Sequence, residues 1–333
     1  MADFIVHDTP LTPGMYLGSR PLRVNQRNGL VTVQTERGLV VNSLLRKDEW
    51  RLLDVEVQKA AMIRLRAVEM FRRHGLVKRI NSFGTLVSQY SKANEMTAAN
   101  VSMTGQGEGE RDRIDNKIGG VPIPIIYKDF QIPKRQLEAA RLMGNQLDTA
   151  HAESAARVVA EGVESLLVNG SAATIFDGYT LFGLTTETNR NTGSASGDWG
   201  TISNIPTTVT AMIGAAVADR YFGPYALHVA SPQYTELTTQ FFSDGSGQSA
   251  LQRIKQIPEL AEAIPDDTLA AGSLILHQLT SDVADIVEHM GVTVVEWMSG
   301  DGMVANFRVM AVAAPRIKSD YATRSGVVHF TGA

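Results

Sequence analysis

Seven histidines, no cysteine and a few acidic pairs are the groups in this chain that could do chemistry. The histidines stand at 7, 74, 151, 228, 277, 289 and 329. None falls in an H-E-x-x-H pair or any other dense ligand spacing, which a side-chain metal site on one element needs. His228 and His277 sit in runs of strand-forming residues and read as core or surface positions rather than catalytic ones. The lack of cysteine excludes disulfides, thiol nucleophiles and thiolate metal sites, and it is compatible with a reducing compartment. Ser246, in Asp244-Gly-Ser-Gly-Gln-Ser249, does not stand in a G-x-S-x-G elbow. Asp266-Asp267 and Glu259 with Glu262 are the candidate general acid–base pairs, but acidic stretches of this kind read as solvated surface. Gly105, Gly107 and Gly109 imitate a phosphate loop, yet Glu108 and Glu110 would repel phosphate and no strand-to-helix context follows. The expectation is no catalytic, cofactor-binding or metal-binding residue, and no enzyme.

Charge is uneven along the chain. Residues 1–80 hold 14 Lys and Arg against 8 Asp and Glu, a net of +6, which leaves −10 for the rest of a chain whose net charge is −4. A basic segment on an acidic body can face nucleic acid or an acidic neighbour; Arg64, Arg66, Arg72 and Arg73 are the residues that would do so. The plainer reading is a solvated helix face. Composition is that of an ordinary globular protein, with 44% hydrophobic and 20% charged residues, and at 333 residues two lobes are expected. No apolar run reaches about 18 residues, so no membrane-spanning helix is expected. The N-terminus lacks the basic and apolar regions of a secretory signal.

The elements that must position these groups begin with an arm, residues 1–45. Proline and glycine interrupt it too often for a long helix, and Val31, Val33, Val40 and Val41 suggest short strands. A long helix is expected over 46–74, with Trp50, Leu53, Val57, Ala61, Ile63, Leu65, Val68 and Phe71 on its apolar face and Gly75 as its stop. Residues 80–132 read as a β excursion. One strand runs from Thr85 to Tyr90 and one returning strand from Val121 to Ile132, with a polar, glycine-rich stretch between them. Loops of that length are usually functional or disordered. Pro133 opens a short helix that Gly144 ends. Asp148 is the expected N-cap of the next helix, whose stripe is Ala152, Ala155, Ala156, Val159, Val163, Leu166 and Leu167 and whose stop is Asn169-Gly170. So many alanines require a partner packed closely along the stripe. Residues 171–205 read as irregular, 206–220 as a helix, Tyr225 to Ala230 as a strand, and 231 onward and 249–257 as helices. Four further strands are expected from Ser273 onward, with Asp301-Gly302 as a hairpin turn between the last two, and a closing strand at 327–330. The absence of βαβ alternation makes the class α+β.

Three segments carry a family resemblance. VPIPIIYKDFQIPKRQLEAA (121–140), LDTAHAESAARVVAEGVESLLVNG (147–170) and GPYALHVASPQYTELT (223–238) stand in the order and spacing of a major capsid protein of the Hong Kong 97 fold. That fold is shared by tailed-phage shells and encapsulins. They resemble, in turn, the strand and short helix after that family's extended loop, its spine helix, and the opening strand and helix of its axial domain.

The resemblance implies an N-terminal arm (1–45), an N-terminal helix (46–79), an extended loop (80–132), a peripheral domain (133–205 with 301–333) and an axial domain (206–300). It also implies a structural protein of the virion, assembled in the bacterial host cytoplasm. Its pentamers and hexamers would form an icosahedral shell around non-specifically held double-stranded DNA, with portal, scaffolding or decoration proteins as further partners. The arm and loop would carry contacts between subunits, and tip loops near 241–248 and 299–303 would meet at the capsomer axis. Some relatives crosslink a lysine to an asparagine between subunits; Lys92 lies in a suitable region, but nothing in the sequence identifies its partner, so no crosslink is assigned. The alternatives are an encapsulin compartment holding cargo enzymes and a soluble α+β enzyme with a dispersed site. A jelly-roll coat protein is disfavoured by the long helices.

Overall fold

A computed structural model of the chain describes residues 45–333 apart from 46, 82, 95, 97–98, 100, 102, 105–112, 144–148, 244, 246 and 299–302, together with the backbone of five short strands between residues 16 and 43. Those five are β1 (Tyr16–Leu17), β2 (Arg20–Pro21), β3 (Arg23–Arg27), β4 (Leu30–Gln34) and β5 (Val40–Ser43). β1 pairs with β2, and β3, β4 and β5 form an antiparallel meander in which Val33 faces Val41.

The expected long helix is two helices, α1 (Lys47–Met62) and α2 (Arg66–Arg73). The break has a tertiary cause. The Ala67 and Val68 amides donate to the carboxylate of Glu164, 97 and 96 residues away. A fresh helix start is thereby capped from outside, where no local side chain caps it. Ile63, expected on the apolar face, lies in this break and is exposed. Gly75, at φ +69°, ends α2.

β6 (Val77–Arg79) leads to the hairpin of β7 (Val87–Ala93) and β8 (Asn116–Pro122). The single returning strand expected over 121–132 is in fact the end of β8 and a separate strand, β9 (Ile125–Pro133), in a different sheet. Pro122 and Pro124 flank the corner, where neither can donate to a ladder. α3 (Lys134–Leu142) and α4 (Ala150–Asn169) follow. Gly144 and Asp148 lie outside the described residues, and Thr149 holds the N-cap position of α4. Six of the seven stripe residues, Ala152, Ala155, Ala156, Val159, Val163 and Leu167, are buried along α4, joined by Ala160, whereas Leu166 is only partly buried and packs on the neighbouring cluster of Val121 and Met310. A Cβ added at Gly162 would meet Ile126 of β9 at 3.1 Å, so helix and sheet are already in close contact.

Residues 171–205 are more regular than expected. β10 (Gly170–Phe176) and β11 (Tyr179–Phe182) form a hairpin, and β12 (Asn191–Ser194) follows. Asp177-Gly178 turns the hairpin with both φ angles positive, at 53° and 77°. That dipeptide between apolar residues was the available signal. Then come α5 (Asn204–Ala218), β13 (Tyr225–Ala230), α6 (Ser231–Thr239), α7 (Ala250–Ile254), β14 (Leu260–Asp266), β15 (Leu274–Gln278), β16 (Ala284–Met298), β17 (Val304–Ile317) and β18 (Val327–Thr331). The two strands expected within 284–298 are one 15-residue strand with register shifts between Glu288 and Thr293. β14 was not foreseen; it runs parallel to β13, so a βαβ crossover joins these two strands.

Two main sheets result. In one the order is β6-β16-β17-β9, with α4 packed across β17 and β9 and β5 lying against β16. In the other it is β12-β18-β15-β13-β14. Alternate residues of β13 and β15 face different cores. Ala226, Ala230 and Ile275 join the cluster around α1, α2 and α4, whereas Tyr225, Leu227, Val229, Leu274 and Leu276 join the cluster under α5, α6 and α7.

Candidate assembly surfaces

The β7–β8 hairpin leaves the body from a well-packed root. Val121 and Ile123 pack with Leu181, Met290, Met310 and Val312 on the outer face of the four-stranded sheet. Two glycines make room for tyrosines there: a Cβ at Gly119 would sit 2.7 Å from the Tyr90 ring, and one at Gly120 2.8 Å from the Tyr179 ring. Beneath lies a buried ion pair. Arg316 and Asp285 face each other across β17 and β16, bonded through Nε to Oδ1 at 2.7 Å and through Nη2 to Oδ2. Lys318 Nζ donates to the same carboxylate at 3.1 Å, and Arg316 Nη1 donates to Ser88 Oγ of β7 at 3.3 Å. Lys92, Arg316 and Lys318 all lie within 6.0 Å of the Tyr90 ring centre. Burial, with Glu187 beside it, pushes the Tyr90 phenol up to about 12. Lys92 donates to Ser319 Oγ of its own chain at 2.8 Å, and so does Asn189.

Among the described residues beyond the root, Val101 and Met103 are fully exposed, Met96 and Ile118 are largely so, and Ile114 is about half exposed. A second bare region lies on the outer face of the four-stranded sheet. Arg308 binds Asp129 through Nε to Oδ1 at 2.6 Å and Nη2 to Oδ2 at 2.7 Å. Its guanidinium lies 4.3 Å from the Tyr127 ring centre and 5.3 Å from that of Trp297. The same fork holds the Asp129 carboxyl below its usual range. Tyr127 is 55% and Trp297 38% exposed.

The basic helix positions are mostly spent within the chain. Arg72 pairs with Glu288 and Arg73 with Glu262, each at 2.8 Å, and Arg64 lies 3.5 Å from Glu161. Arg66 is exposed. Between α6 and α7 Phe241 is exposed, and Arg253 of α7 stacks over Phe242 at 4.5 Å. Residues 244, 246 and 299–302, including Ser246 and Asp301-Gly302, lie outside the described residues, as do Gly105, Gly107 and Gly109.

The acidic stretch read as solvated is only partly so. Glu259 and Asp267 are exposed, but Asp266 is 3% exposed and ends β14. Its Oδ1 accepts from the Thr268 amide and hydroxyl at 2.9 and 2.6 Å, and its Oδ2 faces His228 Nδ1 at 3.3 Å. His228 Nε2 lies 3.0 Å from His277 Nε2, and Phe71 of α2 stacks on His277 at 5.1 Å. Burial, then the charge of His228, pushes His277 down to about 3. Both histidines are fully buried, so this chain of three side chains lies within a core. Burial likewise raises Glu164 to about 7 against the pull of the α2 amides it caps.

A family described as a family of unknown function, DUF6260, matches residues 40–330. The chain belongs to that family. This DUF6260 chain is 25% identical over 216 residues to the type 1 encapsulin shell protein EncA of Myxococcus xanthus, covering 64% of this chain and 70% of that protein. It is 26% identical over 159 residues to a diheme-cytochrome-encapsulin shell fusion protein of Kuenenia stuttgartiensis, covering 48% of this chain and 41% of that longer protein. Among solved structures it superposes on the virus-like particle of Pyrococcus furiosus with a TM-score of 0.57, at 18% identity over 83% of this chain and 98% of that one. It superposes on the capsid of Myoviridae phage XM1 with a TM-score of 0.58, at 15% identity over 78% and 91%. The DUF6260 chain therefore has the mixed helix-and-sheet Hong Kong 97 fold, the fold of phage capsids and encapsulin-like shells.

Proposed function

We propose that this chain is a shell protein whose copies close, as pentamers and hexamers, into an icosahedral container. The observation that carries the reading is the hairpin. Its root is fixed by a buried ion pair, yet Ile118 in its second strand and Met96, Val101, Met103 and Ile114 beyond the strands are exposed to solvent. A two-stranded ribbon with bare apolar side chains gains stability by lying on another surface. Repeated around an axis, one such non-self-complementary contact closes rings, and many modest contacts per subunit hold a shell through multivalency. The extended fold match to shell-forming proteins supports the same conclusion.

Two contents remain distinct readings. A phage coat enclosing DNA in a virion is supported by the match to the phage XM1 capsid. A compartment enclosing protein is supported by the two curated relatives, both encapsulin shell proteins. Electron microscopy of the purified protein, with nucleic-acid and protein analysis of any particles, tests both. Closed particles with nuclease-protected DNA are the outcome of the first reading, and particles with a co-purifying protein are that of the second. A small oligomer under every assembly buffer overturns the shell itself and leaves an enzyme with a dispersed site.

A further inference from the structure

Two imidazoles meet edge to edge in the wall shared by the two cores. His228 Nε2 lies 3.0 Å from His277 Nε2, and His228 Nδ1 lies 3.3 Å from the Asp266 carboxylate. His277 Nδ1 lies 3.2 Å from the Gln278 carbonyl. Each of these three links needs one hydrogen, and neither a carboxylate nor a carbonyl supplies one. Two neutral imidazoles carry only two, so a third proton completes the chain. Asp266 does not hold it: against the push of burial, the hydrogen bond and charge of His228 keep that carboxyl below its usual range. His228 is therefore the imidazolium, donating at both nitrogens, and His277 is neutral with its hydrogen on Nδ1. At 3.0 Å the two Nε2 atoms have room for one proton between them; a second would set N–H against N–H.

The cover over His277 belongs to a short element with a joint at each end. Phe71 of α2 lies on the His277 ring, 5.1 Å away with 14° between the planes. α2 has 8 residues. Before it stands the break at 63–65, and after it Gly75, at φ +69° with open space around an added Cβ. Ionisable groups face the pair from the surrounding elements. His228 comes from β13, Asp266 and Glu262 from β14, Arg73 and His74 from α2, and Glu164 from α4, while β18 places Val327 opposite His277. Glu262 draws α2 inward, 2.8 Å from Arg73 and 3.5 Å from His74. We propose that α2 is an acid-released clasp: a second proton on the His228–His277 pair parts the rings and lifts Phe71, and α2 with it, off the wall. Glu164 opposes the release. Burial raises it to about 7 while it caps α2, so it gives up a proton once uncovered. The clasp therefore stays shut through mild acid and opens below it. It operates on a single chain and stands whether or not copies assemble.

Hydrogen exchange of the α2 amides in the full-length protein, corrected for the intrinsic effect of pH, tests this. Glu164→Gln removes the opposing group. His277 takes up its proton near 6.5 when open and near 3 when closed, so α2 opening in that variant should grow about 90-fold between about pH 7.5 and 4.5. The parent should change less than about threefold between about pH 6.5 and 4.5 and open below that. Adding His277→Phe to Glu164→Gln removes the trigger, keeps a ring beneath Phe71 and should abolish the slope. No slope in Glu164→Gln, a slope that survives His277→Phe, or an equal rise in β13 and β15 would each overturn the clasp. Nitrogen-15 NMR of the parent's histidines decides the matter if the double variant does not fold. At about pH 6, where both forms of free histidine are populated, His228 should carry hydrogen on both ring nitrogens and His277 on Nδ1 alone. A neutral His228 or a charged His277 overturns the proposal.

Discussion

The Arg316–Asp285 pair offers the sharpest test of how the hairpin is held. Both side chains are 5% exposed, so deleting either one strips its partner of a two-point bond inside the protein. Breaking a buried pair by deleting one partner costs about 3–5 kcal/mol. The surroundings order the two deletions. Arg316→Met leaves Asp285 with Lys318 still at 3.1 Å, so the loss should sit near the lower end, about 3 kcal/mol. Asp285→Asn leaves Arg316 and Lys318 facing one another with no anion between them, so the loss should approach about 5 kcal/mol. Replacing both by apolar residues of similar volume removes the desolvation cost together with the attraction. That double variant should return to within about 2 kcal/mol of the parent. Urea unfolding of unassembled protein gives the energies. Hydrogen exchange of the β7 and β8 amides shows where the loss is felt, since Arg316 also bonds Ser88 and lies under Tyr90. A cost below about 1 kcal/mol for Arg316→Met, the reverse order of the two single variants, or unchanged exchange in the hairpin would refute the reasoning.

Two buried groups make opposite predictions about pH. His277 is held neutral down to about 3, so an unfolded chain binds a proton there that the folded chain does not, and stability from this site is lost as pH falls from 6.5 toward 3. Glu164 is raised to about 7 from 4.5, so the folded chain holds the extra proton and stability is lost as pH rises through that interval. Between 4.5 and 6.5 the two slopes, each at most about 1.4 kcal/mol per pH unit, oppose one another. Glu164→Gln should make the protein acid-sensitive in that window and His277→Phe base-sensitive, as read from urea midpoints at successive pH values; parallel profiles for both variants and the parent would contradict this. At the hairpin root, Gly119→Val drives a side chain into the Tyr90 ring and should cost about 1–3 kcal/mol, with the loss again visible in β7–β8 exchange.

Much of the architecture was legible because periodicity records which face is buried. The alanine stripe of α4 and the strand at Tyr225–Ala230 followed from local pattern alone, as did the glycine stop after α2. The misreadings have a common origin in partners distant along the chain. Nothing near Ile63 announces a helix break, because the capping carboxylate arrives from Glu164. Asp266 looked solvated because its neighbour Asp267 is; its burial is made tolerable by Thr268 two residues on and by His228, which approaches from another strand. The Tyr127–Arg308–Trp297 platform joins three strands and leaves no local signature. The arginines of the α1–α2 region were visible as a charge cluster, but their carboxylate partners, Glu161, Glu262 and Glu288, lie far along the sequence.

The five-stranded sheet has no lining of its own on either side: β13 and β15 lend one set of side chains to the helices above and the alternate set to the helices below. Such a shared wall cannot be peeled from one half of the molecule without stripping the other. A load applied at α5, α6 or α7 therefore passes into α4 through a single thickness of close-packed side chains, and the two cores should yield together rather than one at a time.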